Sequence, residues 1–183
     1  SLHKGNSPVC NAFLKEAMAD GVPISRKEMC NLLKVLLLLK QPQKILEVGT
    51  AVGYSSILMS ENMPQNCRIT TIENYEKRIP VAKNNFKRAG KEEVITLLEG
   101  DAMDILKELD GTYDFIFMDA AKGQYINFLP ELLRLMPAGG LLISDNVLQE
   151  GDIVESRYGV TRRNRTFHTR MREYIYTLTL AEQ

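Results

Sequence analysis

Three residues with hard oxygen donors, Asp119, Asp145 and Asn146, and a lysine three positions past the first of them, Lys122, are the strongest candidates for chemistry in this 183-residue chain. Two carboxylates and an amide oxygen suit Mg²⁺, Ca²⁺ or Mn²⁺ rather than zinc, and three protein ligands leave positions open for water and substrate oxygens. Glu73 could accept both hydroxyl hydrogens of a ribose, and Asp101 could accept from an exocyclic adenine amine. The turn Gly49-Thr50-Ala51-Val52-Gly53 permits close backbone approach to a ligand. It is not a dinucleotide fingerprint, because Ala51 and Tyr54 stand where the second and third glycines of G-x-G-x-x-G belong. That argues against NAD and for a smaller, non-phosphorylated ligand. Each of these residues also has a plainer reading. Gly49 and Gly53 could be an ordinary left-handed turn, Glu73 and Asp101 acids favoured at helix starts, and Asp145-Asn146 a cap on the next element. Lys122 could be an exposed lysine at a helix start.

The elements that must position these residues alternate. Short apolar runs at Lys44–Val48, Cys67–Ile72, Val94–Leu98, Tyr113–Met118 and Gly140–Ser144 are expected to be strands. Between them the spacing predicts helices over Tyr54–Met63, Lys77–Ala89, Ala102–Leu109 and Tyr125–Met136, with another over Glu28–Leu39 ahead of the first strand. Gly90 is placed to end the second helix, and Pro137 with Gly139-Gly140 to stop the fourth. Strands recurring roughly every 20 to 30 residues with helices between them indicate βαβ units and a parallel sheet. The expected fold is α/β, a doubly wound, mostly parallel Rossmann-like sheet with helices on both faces. In such sheets ligands sit beyond the carboxyl ends of the strands, where strand order reverses. Those ends carry Glu47 with the glycine turn, then Glu73, Gly100-Asp101, Asp119, and Asp145-Asn146. The stripe Leu32, Leu33, Leu36 and Leu37 is expected to be core.

Composition is that of an ordinary globular protein, 44% hydrophobic and 25% charged. One domain over 1–183 is expected, with a helical segment over 1–40 and an arginine-rich segment over 156–178. The longest apolar run, Val35–Leu39, is far short of the roughly 20 residues of a membrane span. No signal peptide is evident, and three cysteines (Cys10, Cys30, Cys67) form neither a C-x-x-C pair nor a disulfide framework. A reducing, cytoplasmic compartment is the expectation. With only His3 and His168 besides, a structural zinc site is not expected. The formal net charge is zero, but the average hides a concentration. Six arginines (Arg157, Arg162, Arg163, Arg165, Arg170 and Arg172) and no acid fall between Ser156 and Arg172, leaving the rest of the chain at net −6.

The stretch Ile45-Leu46-Glu47-Val48-Gly49-Thr50-Ala51-Val52-Gly53-Tyr54-Ser55 resembles the glycine motif of class I S-adenosylmethionine (SAM) methyltransferases. Phe117-Met118-Asp119-Ala120-Ala121-Lys122-Gly123-Gln124-Tyr125 and Ile143-Ser144-Asp145-Asn146-Val147-Leu148 resemble the metal-dependent O-methyltransferases of the catechol and caffeoyl-CoA type. Within that group, Pro23-Ile24 and Arg162-Arg163-Asn164-Arg165-Thr166 look most like the bacterial tRNA 5-hydroxyuridine methyltransferases, which make 5-methoxyuridine at the wobble position. The resemblance implies SAM and Mg²⁺ or another hard divalent cation. It places Glu47, Gly49, Tyr54 and Ser55 on the cofactor side, the last three along its methionine part. Glu73 would be on the ribose, Asp101 and Ala102 on the adenine, and Ile24 closing over the ligand. Asp119 would face both the metal and the SAM amino group, Asp145 and Asn146 would complete the metal site, and Lys122 would be the general base. Members of the family finish with an antiparallel hairpin. This chain stops at Leu180-Ala181-Glu182-Gln183 without it, so the sequence is read as incomplete.

Arginine forks pair with phosphates, and Tyr158, Phe167 and His168 could stack on unpaired bases. Arg157, Arg162, Arg163, Arg165 and Arg170 are therefore the candidate contacts to a tRNA anticodon loop, with DNA and membrane not expected and a homodimer implied by the resemblance. From Thr161 onward the pattern reads as a helix, and a solvated or dimer-facing arginine helix is the plainer reading of the segment. The leading expectation is methylation of tRNA 5-hydroxyuridine. The alternatives are O-methylation of a small catechol-like phenol or caffeoyl-CoA-like substrate, a non-catalytic RNA- or nucleotide-binding domain, and last an NAD oxidoreductase.

Overall fold

The computed structural model describes residues 6–19, 21, 26–147 and 165–180. In chain order these form α1 (Pro8–Ala19), α2 (Lys27–Lys40), β1 (Lys44–Val48), α3 (Tyr54–Asn62), β2 (Arg68–Glu73), α4 (Ile79–Arg88), β3 (Ile95–Glu99), α5 (Ala102–Glu108), β4 (Phe115–Met118), a short 3₁₀ turn (Lys122–Gln124), α6 (Tyr125–Leu135), β5 (Leu141–Ser144) and α7 (Arg165–Leu180). The five strands make one parallel sheet in the order β3-β2-β1-β4-β5. Order reverses between β1 and β4, which is where a doubly wound sheet opens a crevice.

The expected strands and helices are present, with ends shifted by a residue or two. Tyr113 was expected in the fourth strand. Its N–H donates instead to Leu135 O at 2.8 Å, which ties it to the C-terminal end of α6, and β4 begins at Phe115. α4 starts at Ile79, after a turn in which the Arg78 N–H donates to Tyr75 O at 2.8 Å, and Pro80 then sits in its first turn. α6 continues through Pro130, a residue that removes one helical bond. The helix survives because Phe128, Leu129, Leu132 and Leu135 bury one face.

Two apolar layers sandwich the sheet. One contains Phe13, Leu33, Leu37, Ile57, Leu58 and Phe86 from α1 to α4 against Ile45, Ile69, Phe115 and Phe117. The other contains Leu106, Leu129, Leu132, Met171 and Tyr174 from α5 to α7 against Leu46, Val48, Ile116 and Met118. Alternate residues of β1 thus enter opposite layers, as the period of a strand dictates. Burial of Leu33 and Leu37, each of order 2 kcal/mol, holds α2 down. The leucine stripe of α2 is narrower than its sequence suggests. Leu36 is half-buried and Leu32 is 45% exposed, because the buried face takes Cys30, Leu33 and Leu37 and Leu32 lies a step around the helix.

None of the three cysteines forms a disulfide. Burial pushes the Cys10 thiol up to about 12 and Cys67 to about 11, so both stay protonated and inert. Among the described residues no helix is long and apolar enough to cross a membrane. Ile24 and Arg157, Arg162 and Arg163, with Tyr158, lie outside the described residues, as do the side chains of Lys122, Arg165 and Phe167.

Candidate active site

The carboxyl ends of the strands surround a cavity of about 620 Å³, a size suited to a small ligand. Its wall includes Gly49, Glu73, Asp101, Ala102, Asp119, Asp145 and Asn146, seven of the residues singled out by sequence.

The glycine turn that follows β1 owes its shape to two neighbours. Gly49 has φ +103°, and a Cβ there would lie 2.1 Å from Asp119 O. Only glycine lets the turn pass beside the end of β4. Its N–H and that of Thr50 both donate to Ile72 O at 3.1 Å, pinning the turn to β2. Gly53, φ +85°, has no room for a Cβ beside the Phe86 ring of α4. Between them Ala51 also adopts a left-handed conformation, φ +48°, unusual for alanine. Glu73 stabilises it, because the Ala51 N–H donates to Glu73 Oε2 at 2.7 Å. Glu73 Oε1 accepts two further backbone N–H groups, from Asn74 at 3.1 Å and Tyr75 at 2.9 Å. Three main-chain donors fix this carboxylate at the rim of the cavity.

Asp101 serves two purposes. It caps α5, its Oδ1 accepting from the Met103 N–H at 2.8 Å. It also lines the cavity with Ala102.

Glu47, Tyr54 and Ser55, expected on the cofactor side, are buried and are not among the residues that line the cavity. The Glu47 carboxyl is fully buried in the layer beneath α3, where it accepts hydrogen bonds from Ser55 Oγ, Ser56 Oγ and, at 2.6 Å, Thr71 Oγ1. Burial raises it to about 7 although all three hydroxyls pull the other way. Thr71 Oγ1 is also 2.6 Å from Thr50 Oγ1, so this network reaches the glycine turn. The Tyr54 ring is core, and its hydroxyl accepts from Asn6 Nδ2 at 3.2 Å and lies 3.9 Å from Cys30 Sγ.

On the other side of the switch point, Asp119 follows β4 and Asp145 follows β5. The Asp119 N–H donates to Val48 O, and the Asp145 N–H to Met118 O, both at 2.9 Å. Asn146 has φ +56°, a left-handed conformation that asparagine tolerates, and its Nδ2 is 3.5 Å from Asp145 Oδ2. Among the described residues no three His, Cys, Asp or Glu side chains gather as a metal cluster. The donor set available to an ion is therefore two carboxylates and one amide oxygen on one cavity wall. That set fits a hard divalent cation and does not fit zinc.

Lys122 opens the 3₁₀ turn three residues past Asp119. The turn is held from α7 by Arg170, whose guanidinium donates to Gly123 O at 3.0 Å. One arginine of the basic segment is thus engaged with the protein's own backbone, while Arg172 is exposed and His168 is buried.

Sequence reasoning missed Asn74, Tyr75, Arg78, Gln124 and Phe128, which also line the cavity. Asn74 and Tyr75 directly follow β2 and were within reach of the strand-end rule. Arg78 stacks over Tyr75, 5.3 Å from the ring centroid, a pairing no linear pattern announces.

The sheet order, the glycine turn after β1 and the acids at the ends of the other four strands make a Rossmann-like fold, and it matches that of solved methyltransferases. The chain belongs to the O-methyltransferase family, whose members it matches over residues 11–177. It is 36% identical over 146 residues to a catechol O-methyltransferase of Niastella koreensis, covering 78% of this chain and 66% of that protein. It is 33% identical over 160 residues to caffeoyl-CoA O-methyltransferase 2 of Populus trichocarpa, covering 80% of this chain and 63% of the relative. The chain thus spans slightly less than two thirds of either relative. The crystal structure of an O-methyltransferase from Bacillus cereus in complex with S-adenosylhomocysteine (SAH) superposes with a TM-score of 0.84 at 26% identity, over 98% of this chain and 81% of that one.

Proposed function

We propose that this chain is the SAM-binding catalytic unit of an O-methyltransferase acting on a small diphenol of the catechol or caffeoyl type. The observation that carries the reading is the convergence of Glu73, Asp101, Asp119, Asp145 and Asn146 on one cavity at the switch point of the sheet. The relatives named above support the substrate class.

In this reading the two halves of the cavity divide the work. Glu73 accepts the ribose hydroxyls, and Asp101 and Ala102 meet the adenine. Gly49 lets the methionine part lie against the backbone, and Asp119 accepts from its ammonium. Asp119, Asp145 and Asn146 would hold a divalent cation, whose positive charge would make a phenol hydroxyl more acidic. Lys122 takes the hydroxyl proton. The phenolic oxygen then attacks the methyl carbon, a C–O bond forms as the C–S bond breaks, and the sulfonium leaves as a neutral thioether. Holding oxygen and methyl in line can lower the barrier by roughly 7–11 kcal/mol at the upper end.

A second reading, wobble-position 5-hydroxyuridine of tRNA as the methyl acceptor, is favoured by the six arginines between Ser156 and Arg172. A 5-hydroxyuracil offers its hydroxyl and adjacent carbonyl in the same two-point pattern as a catechol. Transfer of labelled methyl from SAM, measured with Mg²⁺ and with chelator, separates the readings. Mg²⁺-dependent label in a catechol, with none in tRNA isolated from cells that lack the modification, is the expected result. Label in a wobble uridine alone would move the substrate to tRNA. Transfer undiminished by chelator would remove the cation from the account.

A further inference from the structure

We propose that Tyr125 and Tyr174 are positioning residues of the cation site, clamping the ends of β4 and β5 so that Asp119 and Asp145 are held at the spacing one ion requires. The inference rests on the reading of Asp119, Asp145 and Asn146 as a cation site.

Tyr125, the first residue of α6, is fully buried. Its hydroxyl lies 3.2 Å from Met118 O and 3.3 Å from Asp145 O. A phenol has one hydrogen, so that hydrogen is shared between a carbonyl at the end of β4 and one in the turn after β5. Met118 O also accepts the Asp145 N–H at 2.9 Å, the last rung joining β4 to the turn after β5. Tyr174 reaches the same place from α7. Its ring meets Tyr125 edge-on, with centroids 5.8 Å apart and planes at 68°. Its hydroxyl is 2.5 Å from Ser144 Oγ. The residue before each acid, and the carbonyl of Asp145 itself, is therefore tied by a phenol.

Packing alone does not call for these hydroxyls. The layer around them is mostly Leu, Met, Ile and Phe, and phenylalanine would fill it. A buried hydroxyl is costly unless it is bonded, and both of these are bonded at strand ends. Two like carboxylates at one ion site repel each other, and the tyrosine pair ties the strand ends that carry them before any ion arrives.

The test uses the whole chain with Tyr125→Phe, Tyr174→Phe and Asp145→Ala, measuring Mn²⁺ binding by calorimetry and paramagnetic resonance, SAH binding by calorimetry, and thermal unfolding. Wild type is expected to bind Mn²⁺ and Asp145→Ala to lose it. Tyr125→Phe is expected to weaken Mn²⁺ about tenfold, the lower end of what loss of an outer partner does to a metal site. SAH affinity should fall clearly less than Mn²⁺ affinity, because only Asp119 is shared between the two ligands and the clamp lies apart from Glu73 and Asp101. Tyr174→Phe should show a smaller shift in the same direction, and it carries the measurement if Tyr125→Phe does not fold. Unchanged Mn²⁺ affinity in both variants overturns the clamp while leaving the cation site standing. Mn²⁺ and SAH affinities falling by the same factor also overturn it, because that is the signature of general loosening. No Mn²⁺ binding by wild type removes the cation site and the clamp with it.

Discussion

Glu47 and Glu73 stand on adjacent strands, and each accepts three hydrogen bonds, yet they belong to different parts of the molecule. Glu47 is paired in register with Thr71, and Glu73 follows Thr71 by two residues on the same face of β2. One strand step, about 6.6 Å, separates a carboxyl sealed under α3 from a carboxylate on the cavity wall. Their partners differ in kind. Glu47 is met by three hydroxyls, which can donate or accept, so its carboxyl can hold a proton without stranding a donor. Glu73 is met by three backbone N–H groups, which only donate and whose directions the fold fixes. The first arrangement joins β1, β2 and α3, and the second aims a carboxylate. In this sheet an acid becomes a site residue by standing past the last covered rung of its strand.

The largest way to break this division is at the turn both glutamates support. Gly49→Ala places a methyl against Asp119 O, a backbone atom that cannot yield, in a conformation alanine resists. Strain and overpacking together should cost roughly 4 kcal/mol or more, read as a lowered urea midpoint.

Glu47→Gln sharpens the contrast with a smaller effect. Burial raises Glu47 from 4.5 to about 7, so the folded chain binds this proton more tightly than the unfolded chain does. Its contribution to stability is fully present below about 4.5 and is lost as pH rises through about 7. Wild type should lose on the order of 2–3 kcal/mol from this group between pH 5 and 8, and Glu47→Gln should lack that slope. Parallel pH profiles for the two proteins would show that folding does not raise Glu47.

Much of this architecture is legible in the sequence. Alternation of apolar runs with amphipathic ones specifies the parallel sheet, and the strand-end rule draws Gly49, Glu73, Asp101, Asp119, Asp145 and Asn146 to one place. Three features are not legible. Glu47 and Glu73 look alike in sequence, and only the position of α3 over β1 tells them apart. Tyr54 follows the glycine motif immediately, but helix geometry turns its ring into the core toward Cys30 and Asn6. Tyr125 and Tyr174 are 49 residues apart, and their meeting depends on α7 packing against α6, which no local pattern encodes.

The division of the cavity into a cofactor half and a cation half is tested most directly by titrating SAH into wild type, Glu73→Ala and Asp145→Ala in one calorimetric series. The account predicts binding by wild type, a loss of about tenfold or more in Glu73→Ala as the hydrogen-bonded ribose partner is removed, and affinity within about twofold of wild type in Asp145→Ala. Undiminished binding by Glu73→Ala, or loss of SAH in Asp145→Ala, would contradict it.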